Sequence, residues 1–148
     1  MSPAPKDRPD VQVFTEIGII DQLVTNRLER VLPSGLSYAQ FGVLVHFARR
    51  GGQESPAQLA KAFQVTKGAM TNTLQKLAAQ GFVRIEDDAA DGRKKQVSIT
   101  SDGLEAHDAG LVAMRPQMET LRSAFTDGEF RAVLPFLTAL RMWLDDNR

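Results

Sequence analysis

The sequence predicts a mainly α-helical fold with a single small β-hairpin. Three observations carry this. Residues 55–80 read as two capped helices joined by a turn too short for anything else. Residues 82–99 read as two short Val-, Ile- and Phe-containing strands around a polar loop with a basic tip. Long amphipathic helices with surplus apolar surface flank this block on both sides. The expected organisation is a mobile N-terminal tail over 1–10, a winged helix-turn-helix domain over 34–100, and a helical dimerisation region over 11–33 and 101–148.

The opening M-S-P-A-P-K-D-R-P-D is polar and proline-rich, which is why a mobile tail is expected there. Val11 to Leu32 is helical in period but too apolar for one face. Phe14, Ile17, Val24, Leu28 and Val31 form one stripe, and Val13, Ile20 and Leu23 a second beside it. One stripe suffices for a helix resting on its own domain, so two imply burial against a second subunit as well. Pro33-Ser34-Gly35 breaks the helix. Ser37 and Gln40 then form a capping box, with Leu36 and Phe41 as its hydrophobic staple. Phe41, Leu44, Val45 and Ala48 supply the expected buried face of this second helix, and Gly51-Gly52 ends it. His46 lies off that face, so a surface or crevice position is expected.

Ser55-Pro56-Ala57-Gln58 is a capping box with proline at the first helical position. Gln64-Val65-Thr66 ends this short helix, and Thr66 caps the next, with Val65 and Met70 spaced as a staple. In the helix from Lys67 to Gln80, Met70, Leu74 and Leu77 point inward. Gly68, Asn72, Gln75, Lys76 and Ala79 form the opposite stripe, flanked by Lys67 and Thr71, without an acid among them. A helix that reads the major groove needs such a set: amides for adenine edges, lysine for guanine or phosphate, small residues for close approach. An ordinary solvated face would accept the same residues. Gly81 is the expected residue just past the helix end, with Phe82 folding back. Phe82–Glu86 and Lys95–Ile99 are the expected strands, and Gly92 offers a positive φ to the loop between them. The tip carries Arg93, Lys94 and Lys95.

Thr100 caps a long helix in which Leu104, His107, Leu111, Met114, Met118, Leu121 and Phe125 recur at 3-4 spacing, the pattern of a helix-packing seam. His107 reads as a satisfied interface histidine. Pro116 should kink or interrupt this helix. Thr126 and Glu129 form another capping box, with Phe125 and Phe130 as staple. Phe130, Val133, Leu134, Leu137, Leu140 and Leu144 make the expected buried stripe of the last helix, bent at Pro135. Trp143 has little chain left to cover it.

Across 148 residues the formal net charge is zero, but charge is unevenly spread. Ser55–Gln80 carries three lysines and no acid, whereas Gln96–Arg148 carries eight acids against five bases. Moderate, salt-sensitive attraction to a polyanion follows, rather than indiscriminate binding. The sequence contains no cysteine, which excludes disulfides and thiol chemistry. It offers no apolar run near the ~20 residues of a membrane span and no signal peptide, so a cytoplasmic protein without membrane contact is expected. No nucleophile with a paired base, metal-ligand cluster or phosphate-binding glycine loop is visible, so neither enzyme activity, nor a cofactor, nor a metal is expected.

The order S-P-A-Q-L-A, V-T-K-G-A-M-T-N-T-L-Q-K-L, G-F-V-R, D-x-R and V-S-I-T-x-x-G resembles the MarR family of bacterial transcription regulators, most closely over 55–103. The resemblance implies a homodimer that binds a pseudo-palindromic operator in double-stranded DNA, in most cases as a repressor. It places Lys67, Gly68, Thr71, Asn72 and Gln75 on the groove-facing helix. It makes Arg93 a minor-groove probe and Asp91 the residue that helps fix the wing. Gly68 departs from the larger side chain common at its position. With Ser55, Thr66, Lys76, Lys94 and Lys95 these are the candidate DNA contacts. The family also implies a small, often aromatic or phenolic effector bound between the dimer helices and the winged domain. Arg27, Tyr38, His46 and Arg50 are the candidate polar groups for it, although each fits an ordinary surface better than a pocket. The competing reading is a winged helix used as a protein-interaction adapter, which would call for apolar or acidic groups on the exposed face of 67–80.

Overall fold

A computed structural model of the chain describes residues 8–33 and 35–147. Residues 1–7 of the expected tail, and Ser34 of the expected break, lie outside this range. Six helices and two strands follow in the order α1 (Pro9–Val31), α2 (Tyr38–Arg50), α3 (Pro56–Phe63), α4 (Lys67–Ala79), β1 (Val83–Asp87), β2 (Lys95–Ile99), α5 (Ser101–Ala124) and α6 (Asp127–Asp146). The chain divides into two compact units, Met1–Ala113 and Met114–Arg148.

Local chemistry sets most helix starts. Ser37, Ser55 and Thr126 each accept the backbone N–H three residues on, while Gln40, Gln58 and Glu129 reach back to the cap, so all three capping boxes are closed. Thr66 caps α4 through Ala69 N–H at 3.1 Å. Thr100 accepts Gly103 N–H at 3.0 Å and donates to Gly81 O at 2.6 Å, which ties the start of α5 to the start of the hairpin. The Phe125 and Phe130 rings meet edge-on at 6.3 Å, completing the staple at α6.

The core of the first unit is formed by Leu44, Phe47, Leu59, Leu74, Leu77 and Val97, all nearly inaccessible, with Phe41, Val43, Met70 and Val83 around them. α2 is more enclosed than its apolar period implies. Gln40, Phe41, Val43, Leu44, His46 and Phe47 are buried, whereas Val45, expected inside, is 37% exposed. The reason is that α1, α4 and β2 all pack on α2, so burial extends round the helix rather than along one stripe. His46, expected at a surface or in a crevice, is buried. Its Nε2 lies 2.9 Å from Glu54 Oε2, and its ring packs against Phe47 and Phe63. Glu54 also pairs with Val97 through reciprocal backbone hydrogen bonds of 3.0 and 2.8 Å, adding a one-residue third partner to the sheet.

The hairpin is antiparallel, with Ile85 opposite Val97. β1 starts at Val83, one residue later than expected, because Phe82 N–H still bonds Leu77 O while Gly81 N–H bonds Ala78 O. This pair of bonds is a Schellman closure of α4, with Gly81 at φ +78° as its left-handed residue. Gly92 does not adopt a positive φ; the wing loop closes through side-chain and backbone hydrogen bonds instead.

Along the first half of α5, Gly103 and Gly110 are buried against neighbours that leave no room for a side chain. A Cβ at Gly110 would lie 2.3 Å from the Phe41 ring. His107 stacks on that same ring at 5.9 Å and 12°, so its packing is satisfied within this unit. Pro116 and Pro135 sit inside α5 and α6 without interrupting either helix. The stripe expected to be buried on α6 is not buried by this chain: Phe130, Val133, Leu134, Leu137 and Leu144 are 39–55% exposed, and Trp143 62%. In α1 only Leu28 is buried, and Phe14, Ile20 and Leu23 are 50–60% exposed. Among the described residues no helix is long and apolar enough to cross a membrane.

Candidate nucleic-acid interface

The turn between α3 and α4 presents one face of α4 to solvent. Met70, Leu74 and Leu77 anchor the other face in the core, which leaves Lys67, Gly68, Thr71, Asn72, Gln75 and Lys76 exposed. Beside them a groove of about 640 Å³ is bounded by the start of α3, the start of α4 and the wing. It brings together Ser55, Lys67, Thr71, Arg93, Lys94 and Lys95, six of the eleven candidate contacts, from three separate stretches of sequence. Thr66, Gly68, Asn72, Gln75 and Lys76 are not in its lining; they continue the exposed surface along α4.

The electrostatics are those of an anion-facing surface. Lys67, Arg93, Lys94 and Lys95 line the groove against one carboxylate, Asp88. Lys95 is paired with Asp87, so its charge is partly answered within the protein. Arg93 is 95% exposed, and its Nε lies 3.5 Å from Asp91 Oδ1, a loose contact that leaves the guanidinium available. The Ser55 and Thr66 oxygens are already occupied by helix N–H groups. Each hydroxyl still has its own proton to donate, so the caps can also serve a phosphate oxygen.

One wing residue was not among the candidates. Asp88 Oδ1 accepts Ala90 N–H at 2.8 Å and Asp91 N–H at 3.4 Å, and Oδ2 accepts Gln96 Nε2 at 2.9 Å. The Gln96 amide, then the Ala90 N–H, hold this carboxyl below its ordinary pKa. Since the folded value is depressed, the order it gives the wing is present above the ordinary carboxylate range and is lost as pH falls through the folded pKa. The D-D-A-A-D spacing carried a usable signal, because an aspartate two residues before a free N–H is a common turn former.

The candidate effector groups are not gathered. His46 is enclosed by Glu54, Phe47 and Phe63. Tyr38 and Arg50 stand at opposite ends of α2, about 18 Å apart along the axis at 1.5 Å per residue. Arg27 is exposed on α1. Among the described residues no three His, Asp or Glu side chains are grouped to hold a metal.

The family model described as MarR family matches residues 34–94. The HTH-type transcriptional repressor YetL of Bacillus subtilis is 30% identical over 125 residues, which is 83% of this chain and 75% of YetL. The chain belongs to the MarR family. The fold agrees: a crystal structure of MarR superposes with a TM-score of 0.82 at 25% identity, covering 99% of this chain and 100% of that one. A mutant MarR from E. coli complexed with operator DNA superposes with a TM-score of 0.76 at 23% identity, over 94% of this chain and 99% of its own. As a MarR-family protein, the chain is a DNA-binding transcription regulator of the winged-helix type and not an enzyme. The family model spans α2 through the wing loop, and the structural likeness extends over nearly the whole chain.

Proposed function

We propose that this MarR-family chain is a homodimeric repressor that reads a pseudo-palindromic operator and releases it on binding a small aromatic or phenolic effector. The observation that carries the DNA reading is the groove itself, where the wing tip and the starts of α3 and α4 place four cations beside an acid-free helix face. In this reading α4 enters the major groove, Asn72 and Gln75 address base edges, Lys67, Lys76, Lys94 and Lys95 address phosphates, and Arg93 enters the adjacent minor groove. Asp91 accepts Arg93 N–H within the wing tip.

Dimerisation through 11–33 and 101–148 is supported by the apolar side chains that α1 and α6 leave exposed. It also has a purpose, since two reading helices ~34 Å apart meet successive major grooves. Effector response rests on the family resemblance; Arg27, Tyr38, His46 and Arg50 are its candidate polar groups, although the structure does not gather them at one place. Incubation of the purified protein with a panel of aromatic acids, read as displacement from DNA, tests that part.

The test of the groove-facing assignment is base preference. Asn72→Ala and Gln75→Ala should each relax preference at one position per half-site, at a cost of ~1–3 kcal/mol. The measurement is sequencing of duplexes enriched from a random pool by each variant. A preference profile identical to wild type would remove these two residues from the base contacts.

A further inference from the structure

We propose that Asp88, rather than Asp91, is the residue that positions the wing, setting where Arg93 presents its cation to DNA. The inference rests on the reading of Arg93 as a DNA contact.

The wing loop has to span from Asp87 to Lys95 without regular pairing. Asp88 closes it on three sides. Its backbone N–H bonds Lys94 O at 2.9 Å across the loop, its Oδ1 accepts the Ala90 and Asp91 N–H groups inside the loop, and its Oδ2 accepts Gln96 Nε2 from β2. One carboxylate thus fixes the outgoing limb, the tip and the returning limb together. Asp91 does less: its Oδ1 accepts Arg93 N–H at 3.1 Å and faces the guanidinium at 3.5 Å, all within the tip. With Asp91 removed, the loop would keep its closure. With the Asp88 carboxyl removed, the backbone bonds of Asp88 N–H to Lys94 O and Lys94 N–H to Asp91 O remain, but the tip loses its tie to β2 through Gln96, and Arg93, 95% exposed, has no packing of its own to hold it.

Simple electrostatics makes the opposite forecast. Asp88 is the one carboxylate lining a cationic groove, so neutralising it should strengthen attraction to phosphates. The two accounts therefore differ in sign. Asp88→Asn separates charge from geometry, because an amide oxygen can still accept the two loop N–H groups and a turned Gln96 amide can still meet it.

The experiment uses the 148-residue chain and a duplex enriched from a random pool by the wild-type protein. Affinity is measured for Asp88→Ala, Asp88→Asn, Arg93→Ala and the Asp88→Ala/Arg93→Ala double variant over a range of salt, below each variant's thermal transition. Asp88→Ala should bind roughly tenfold more weakly with a shallower salt slope, and Asp88→Asn within about threefold of wild type or tighter. The double variant should bind no more weakly than Arg93→Ala, since Asp88 acts through Arg93. Arg93→Ala weakened with Asp88→Ala as tight as wild type or tighter overturns the role of Asp88 alone. Arg93→Ala as tight as wild type overturns the wing reading and this inference with it.

Discussion

In the proposed dimer, replacing Leu23 with glutamate is expected to leave each chain folded, separate the two subunits, and lower operator affinity by roughly 100-fold or more. Leu23 is 60% exposed on α1, so the single chain loses little by the change. At a two-fold interface each substitution counts twice, and a carboxylate buried there without a partner costs several kcal/mol. DNA affinity falls because a monomer offers one reading helix where the dimer offers two. Sedimentation at micromolar concentration reports the assembly, and titration of an enriched duplex reports the binding. A variant that still sediments as a dimer would show that α1 is not at the interface, and a wild-type monomer would sink the dimer altogether.

Gly103→Ala is expected to destabilise the fold, although alanine is the better helix former by ~1 kcal/mol. A Cβ there would lie 2.1 Å from Phe82 O and 2.7 Å from Ile99 Cγ1. Phe82 O cannot simply withdraw, because it accepts Thr100 N–H at 3.1 Å at the base of the hairpin. Overpacking against backbone costs ~1–3 kcal/mol or more beyond the helix gain, a net loss of about 2 kcal/mol and some 5–8 °C in thermal midpoint. A midpoint that rises instead would mean that α5 and the hairpin do not approach as closely as the structure has them.

What could be read from the sequence was what neighbouring residues decide among themselves. Ser55 with Gln58, Thr66 with Ala69, Ser37 with Gln40 and Thr126 with Glu129 are contacts three residues apart, and all formed. The inward set Met70, Leu74 and Leu77 was equally legible, because one helix face rests on one core. His46 was not. Its partners Glu54 and Phe63 come from other segments, and period alone assigned it to the wrong side. The α6 stripe was legible as apolar, but what covers it was not: apolar spacing states that a surface seeks cover, not that this chain supplies it. In the candidate site, Arg93, Lys94 and Lys95 were legible as a basic tip. Their meeting with Ser55 and Lys67 depends on the hairpin folding back beside α3. Asp88 went unnoticed because an acid in an acid-rich loop looks like solvation until its three acceptor bonds are seen.

The turn between α3 and α4 bears on how freely this reading head can change its sequence. It closes as the end of α4 does, with Val65 N–H on Ala60 O and Gln64 N–H on Lys61 O, but its left-handed residue is Gln64 at φ +53° rather than a glycine. A non-glycine residue there carries a strain of ~1 kcal/mol. Gln64 offsets part of it by donating Nε2 to Lys61 O at 2.7 Å. Glycine at 64 would relieve the strain, lose that bond and loosen the unfolded chain, so the three changes largely cancel. Asparagine, which tolerates the same backbone, is equally admissible. Position 64 is thus expected to accept substitution in this chain while the backbone bonds on either side of it keep the turn closed. A β-branched residue is the replacement that drift would not admit.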